Sequence, residues 1–207
     1  MRYLILDTET TGLIPGVHSV LTACLSIHNY DLSIEARLNL KLKFDPLKYE
    51  ISEKALGVNK INIKEHNETA DSWEDCYRKL YYFFKENAPE EGWIARSDTS
   101  RGNWLVPTGQ NPAFDVNMLK HHFIEGEEER QPLWPVNHQH FDTASIVEFL
   151  SRRKAFPEDV RGLKKVCEWI GNIDISKAHT ADGDVDMVVD ALKVFDKCYI
   201  QNEARNQ

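Results

Sequence analysis

The sequence predicts a single α/β domain with a mixed β-sheet and helices on its faces. Two observations carry this expectation. The chain opens with three β-rich runs joined by short connections, an antiparallel start to a sheet. Beyond them, apolar residues recur at helical spacing in one segment after another, with short apolar runs between. The 207 residues suffice for one domain with a good core, and no repeat or low-complexity stretch interrupts them.

Each element has its own warrant. Arg2 to Asp7 is an apolar run that reads as a buried strand. Ser19 to Ile27 and Ile34 to Phe44 follow, with Asn29, Tyr30 and Asp31 supplying the turn. Leu38, Leu40 and Leu42 alternate with Asn39, Lys41 and Lys43, the period-2 pattern of a half-exposed strand. Ser52 to Gly57 reads as a short helix closed by its glycine. Ser72 to Asn87 is a longer one, N-capped by Ser72, with Cys76, Leu80, Phe83 and Phe84 facing inward. Leu105 and Val106 form a short strand, and Asp115 to Phe123 a helix with Val116, Leu119 and Phe123 on one side. Phe141-Asp142-Thr143 marks another strand end and the start of a helix to Leu150. Val160 to Ile170 and Ala181 to Ile200 complete the set, the latter striped by Val185, Val188, Val189, Leu192 and Phe195. The domain is therefore expected over 1–200, with 201–207 a polar, frayed tail.

Composition narrows the class. Apolar residues make up 42% and charged residues 28%, ordinary for a globular protein. No apolar run reaches the length of a bilayer span, and the chain begins directly in a strand, so neither a membrane anchor nor a signal peptide is expected. Cys24, Cys76, Cys167 and Cys198 are scattered, matching neither a zinc spacing nor a disulfide framework, which points to a reducing, cytoplasmic setting. The net charge of −8 excludes a large non-specific electrostatic binder of nucleic acid. It does not exclude an enzyme that reaches phosphates through metal ions, because bound cations reverse the local charge of acidic clusters.

Leu4 to Leu13, Leu-Ile-Leu-Asp-Thr-Glu-Thr-Thr-Gly-Leu, is the most informative stretch. Asp7 and Glu9 stand at i, i+2 where an apolar strand ends, so both side chains point to one face. Like charges so placed raise each other's pKa unless something positive lies between them, and a hard divalent cation is the natural choice. The alternative is a solvated loop mouth in which the pair simply faces water. Two further acidic sites sit at loop-to-helix junctions. Asp115, in Asn111-Pro112-Ala113-Phe114-Asp115, is either a helix cap or a functional carboxylate. His179-Thr180-Ala181-Asp182-Gly183-Asp184 offers either a capping acid with an incidental histidine or a second chemical centre. His138 and His140 flank Gln139 in a loop, where solvated polar sequence is the plainer reading than a metal site.

Together these segments resemble the DEDDh-type 3′-5′ exonucleases of the proofreading-exonuclease superfamily, which have a ribonuclease H-like fold. Asp7-Thr8-Glu9-Thr10-Thr11-Gly12-Leu13 matches the first motif of that family, and Asn111 to Asp115 followed by Leu119 the second. His179, Ala181 and Asp184 match the H-x-A-x-x-D of the third. Ile51 to Ile61, Asp142-Thr143 and Leu163 to Gly171 are softer echoes, so the likeness spans nearly the whole chain. It implies that Asp7, Glu9, Asp115 and Asp184 hold two divalent cations, Mg²⁺ or Mn²⁺, and that His179 is the general base. It also implies that backbone around Thr10 and Thr11 approaches the terminal nucleotide, that Leu13 packs against a base, and that Asn111 and Phe114 orient the nucleotide or the helix.

The expected activity is release of nucleoside 5′-monophosphates from the 3′ end of single-stranded DNA. Ribonuclease or short-oligonucleotide activity on the same site is the alternative within enzymes, and a non-catalytic nucleic-acid-binding accessory module the alternative outside them. Nucleic acid 3′ ends are the expected partner, with a polymerase or other replication protein as a further one. Gln110 stands where relatives often carry histidine. The long stretch from Arg96 to Trp104 reads as a hairpin insertion with a packed Trp; a loop presenting Arg96 and Arg101 to phosphate and Trp104 to a base is the alternative.

Overall fold

A computed structural model describes residues 2–88, 105–123, 134–154 and 156–205. The Arg96–Trp104 segment lies outside the described residues. A five-stranded sheet has the order β3-β2-β1-β4-β5, where β1 is Arg2–Thr10, β2 Val20–His28, β3 Ile34–Lys41, β4 Leu105–Gly109 and β5 Phe141–Asp142. β1, β2 and β3 form an antiparallel meander, and β4 and β5 add in parallel on the other side of β1. The first strand of the chain is thus the central strand of the sheet.

Among the described residues seven helices accompany the sheet: α1 Glu53–Asn59, α2 Ile63–Thr69, α3 Trp73–Asn87, α4 Pro112–Phe123, α5 Thr143–Arg152, α6 Leu163–Ile170 and α7 Ala181–Arg205. The alternation of β1 sorts its residues between two layers. Leu4 and Leu6 join the larger core, with Phe84 of α3 and Met118, Leu119 and Phe123 of α4. Ile5 faces the other way, onto Val185, Val188 and Leu192 of α7. Asp7 and Glu9 continue the Ile5 side of the strand toward the start of α7.

Several boundaries differ from the sequence reading, each for a local reason. β1 runs on to Thr10, because Thr8 and Glu9 keep pairing with Ala23 and Thr22 on β2. Gly57 does not close α1; Lys60 does, in the left-handed conformation (φ 57°), its N–H bonding to the Leu56 carbonyl. α2 is absent from the sequence reading; Asn62 caps it, accepting from the amides of Lys64 and Glu65. α4 begins at Pro112, the favoured first position for proline, so Asp115 lies inside the first turn and is not its cap. α6 starts at Leu163, after Gly162 turns the chain at φ 82°. α7 continues to Arg205, through residues 201–205 of the expected tail. Among the described residues, no helix is long and apolar enough to cross a membrane.

Candidate active site

The acids expected to act together converge at the C-terminal end of β1. Asp7, Glu9 and Asp184 each place a carboxylate oxygen within 4.8 Å of the others. Asp115 stands outside that mutual group, buried under the strand end. One of its oxygens, Oδ1, accepts both the backbone N–H of Thr8 (2.9 Å) and the Thr8 hydroxyl (2.6 Å). The residue between the two acids of β1 therefore ties the α4 carboxylate to them.

Electrostatics mark the cluster as strained without a cation. Burial and then the neighbouring Asp115, Asp184 and Glu9 raise the pKa of Asp7 well above the ordinary carboxylate range. Burial, followed by Asp184, pushes Glu9 up to about 8, while a hydrogen bond from Asn59 opposes the shift. Burial also raises Asp115, against the pull of its Thr8 bonds, and Asp184. Among the described residues, no lysine or arginine pairs with any of the four. An all-oxygen donor set of this charge fits a hard divalent cation such as Mg²⁺ or Mn²⁺.

The third acid and the histidine depend on one turn. Thr180 takes the position before α7, its hydroxyl accepting from the Gly183 amide (3.3 Å). Asp184 accepts the backbone N–H of His179 (3.1 Å), which helps hold His179 in the left-handed region at φ 67°. Gly183 allows this packing, because a Cβ there would collide with the Lys177 carbonyl. From β3, Arg37 reaches over to α7, donating to Asp186 (2.5 Å) and to the Asp182 carbonyl (2.7 Å). The His179 side chain is left exposed where two cavities meet. One, of roughly 350 Å³, holds Asp7 and Asp184; the other, of roughly 630 Å³, holds Glu9 and Asn59.

The remaining expected contacts fare differently. Leu13 is 75% exposed and does not pack into the core. Thr11 is fully buried, and its N–H, carbonyl and hydroxyl all bond within the protein, to Ser19, Ser52 and Glu50. Thr10 is also buried, its hydroxyl on the Gly12 carbonyl and its own carbonyl on Asn59. These two threonines shape the loop, and their side chains do not reach outward. Phe114 packs against the larger core and orients α4, while Asn111 is exposed at φ 57° with its N–H on Asp142. His138 and His140 are exposed, and neither belongs to the acidic cluster. Three residues to which the sequence assigns no role, Thr8, Asn59 and Arg37, serve the site as supports. Thr8 carries a signal, being inside the first motif; the other two carry none.

With the site in view, three solved structures show what the architecture is similar to. A structure of exonuclease I superimposes with a TM-score of 0.69 at 14% identity, covering 93% of this chain and 40% of that one. The fold is the ribonuclease H-like exonuclease fold. The zinc-bound form of the E. coli exonuclease I complex with single-stranded DNA gives a TM-score of 0.70 at 14% identity, over 93% of this chain and 39% of that one. A moderately thermophilic exonuclease I from Methylocaldum szegediense gives 0.63 at 15% identity, over 93% and 39%. The chain thus spans about 40% of the length of the solved structures it matches. No family model and no curated protein matches the sequence.

Proposed function

We propose that this protein is a metal-dependent 3′-5′ exonuclease that releases nucleoside 5′-monophosphates from single-stranded DNA. The observation that carries the reading is the convergence of Asp7, Glu9 and Asp184, with Asp115 tethered behind them, beside an exposed histidine. Four like charges brought together from three distant segments make sense around cations and are costly otherwise. The zinc-bound E. coli neighbour in complex with single-stranded DNA supports both the metal and the polymer. Among the described residues Cys24, Cys76 and Cys167 are free and buried, which suits the reducing cytosol expected from the sequence.

The chain's own residues then divide the work. Asp7, Glu9, Asp115 and Asp184 are the ligands for two divalent cations. Bound there, the cations would supply charge for the phosphoryl transition state and ease loss of a proton from the attacking water. His179 is the general base and takes that proton at its imidazole, unimpeded by packing. Asp184 fixes the histidine's backbone through its N–H, so ligand and base keep a constant separation. Leu13 offers an apolar surface to the terminal base.

Incubation of a 5′-labelled single strand of DNA and its RNA counterpart with Mg²⁺ or Mn²⁺ tests the reading. The expected result is a ladder shortening from the 3′ end, faster on DNA, and abolished by chelator and by Asp7→Ala. Absence of cleavage on either polymer would overturn it in favour of the accessory-module alternative.

A further inference from the structure

The chain carries an excess of negative charge, yet one wall of the catalytic cavity is basic. Arg161, Lys164 and Lys165 line the same cavity of roughly 350 Å³ as Asp7, His179 and Asp184. They belong to a run of five residues, Arg161-Gly162-Leu163-Lys164-Lys165, at the entry to α6. All three side chains are exposed.

The wall is fixed in place. Val166 and Cys167, next in sequence, are buried, and the Cys167 thiol meets the Met187 carbonyl of α7, one turn from Asp184. Arg161 is steadied by the Glu158 carbonyl (3.2 Å) and by Glu148 (3.7 Å), and Lys165 by the Asp159 carbonyl (3.5 Å). As sequence, the segment reads as helix and, from Leu163 on, as a softer echo of the exonuclease resemblance.

We infer that Arg161, Lys164 and Lys165 bind the phosphodiester groups of the strand upstream of the scissile bond. The inference rests on the exonuclease reading and adds the direction in which the substrate leaves the site. A 3′-terminal nucleoside ends in a hydroxyl and carries no phosphate beyond the scissile one. Every further negative charge of a single strand therefore lies upstream, and a cationic wall selects that side. The opposite cavity, containing Glu9 and Asn59, is left for the terminal nucleoside. Room for upstream bases exists as well, since Arg161, Gly162 and Leu163 also border a cavity of roughly 560 Å³ floored by Val147, Val166 and Phe195.

The test compares the unmodified protein with Lys164→Glu/Lys165→Glu on two substrates, a single-stranded DNA dodecamer and the p-nitrophenyl ester of thymidine 5′-monophosphate. The ester carries no upstream phosphate. The ratio of the KM for the dodecamer to that for the ester is expected to rise at least about tenfold in the variant. The dependence of dodecamer binding on log salt should flatten by about 0.7 for each phosphate left without its cationic partner. A ratio within about twofold of the unmodified protein, with an unchanged salt dependence, would overturn the inference while leaving the exonuclease reading intact. Hydrolysis of neither substrate by the unmodified protein would overturn the reading, and the inference with it. If the double charge reversal lowers the folded fraction, Lys164→Gln/Lys165→Gln replaces it, with the same flattening expected because the same two cations are removed.

Discussion

Thr8 gives both its backbone N–H and its hydroxyl to a single oxygen of Asp115, across 107 residues of sequence. The two bonds pin α4 to the strand that carries the other acids. Thr8→Val keeps shape and removes one of the two bonds. It should cost about 1–2 kcal/mol of stability, because a buried carboxylate loses a donor. It should also weaken divalent-ion binding several-fold, measured by titration calorimetry with Mn²⁺.

Crowding at the strand end predicts a trade between stability and activity. Asp7→Asn removes the charge that three neighbouring acids oppose. In chelator the variant should melt at a higher temperature than the unmodified protein, by about 1–3 kcal/mol in free energy. On adding Mg²⁺ or Mn²⁺, the unmodified protein should gain thermal stability and the variant little. Equal melting temperatures for the two proteins in chelator would contradict the electrostatic account.

His179 touches its surroundings through its backbone, and its ring is exposed. His179→Ala is therefore expected to lower turnover by about 10²–10⁴-fold while divalent-ion affinity stays within about twofold. Calorimetry and single-turnover hydrolysis, run side by side, separate base from ligand; a large drop in metal affinity would make His179 a ligand.

Gly183→Ala probes the turn that presents His179. The added methyl meets the Lys177 carbonyl, so the 177–180 segment must shift. The cost should be about 1–3 kcal/mol in stability. Turnover should fall further than the reduced folded fraction explains, as read from kcat beside a urea melt.

A buried histidine two turns along α4 from Asp115 sets an acid limit on stability. His122 stacks on Tyr49, its Nδ1 has no hydrogen-bond partner among the described residues, and burial, with Lys48 nearby, pushes its pKa down to about 4. The unfolded chain takes the proton near pH 6.5 and the native state only near 4, so stability is lost as pH falls through that window. At pH 5 the loss attributable to this residue is about 2 kcal/mol. His122→Phe should remove that part of the slope, seen as a smaller gap between urea midpoints at pH 7 and pH 5.

Much of the fold and of the site is legible in the sequence, for reasons that differ between elements. Strand β1 and the stripe of α7 are readable because Ile5 and Val185, Val188 and Leu192 bury against each other, and burial imposes a period. Asp7, Glu9 and Asp184 converge as acids read at the ends of elements, whereas the spacing alone leaves a helix cap as the alternative for Asp115. Helix α2 escapes because His66 is its one buried residue, which leaves no apolar stripe to read. Gly57 misleads because a glycine marks a helix end only when its backbone is needed at positive φ, and here Lys60 takes that conformation. Asn59 and Arg37 are invisible because their roles are bonds to groups distant in sequence, Thr10 in one case and Asp182 in the other.

Asp7 and Glu9 sit on β1, the first of the described elements, and Asp184 on α7, the last of them. Bringing them together joins residues about as far apart as the chain allows, a step that pays its loop entropy before any reward. A partly folded molecule therefore holds the acidic cluster only as separated halves. Whatever work depends on that cluster waits for α7 to dock, and a proteolytic nick that releases α7 would take Asp184 away from Asp7 and Glu9.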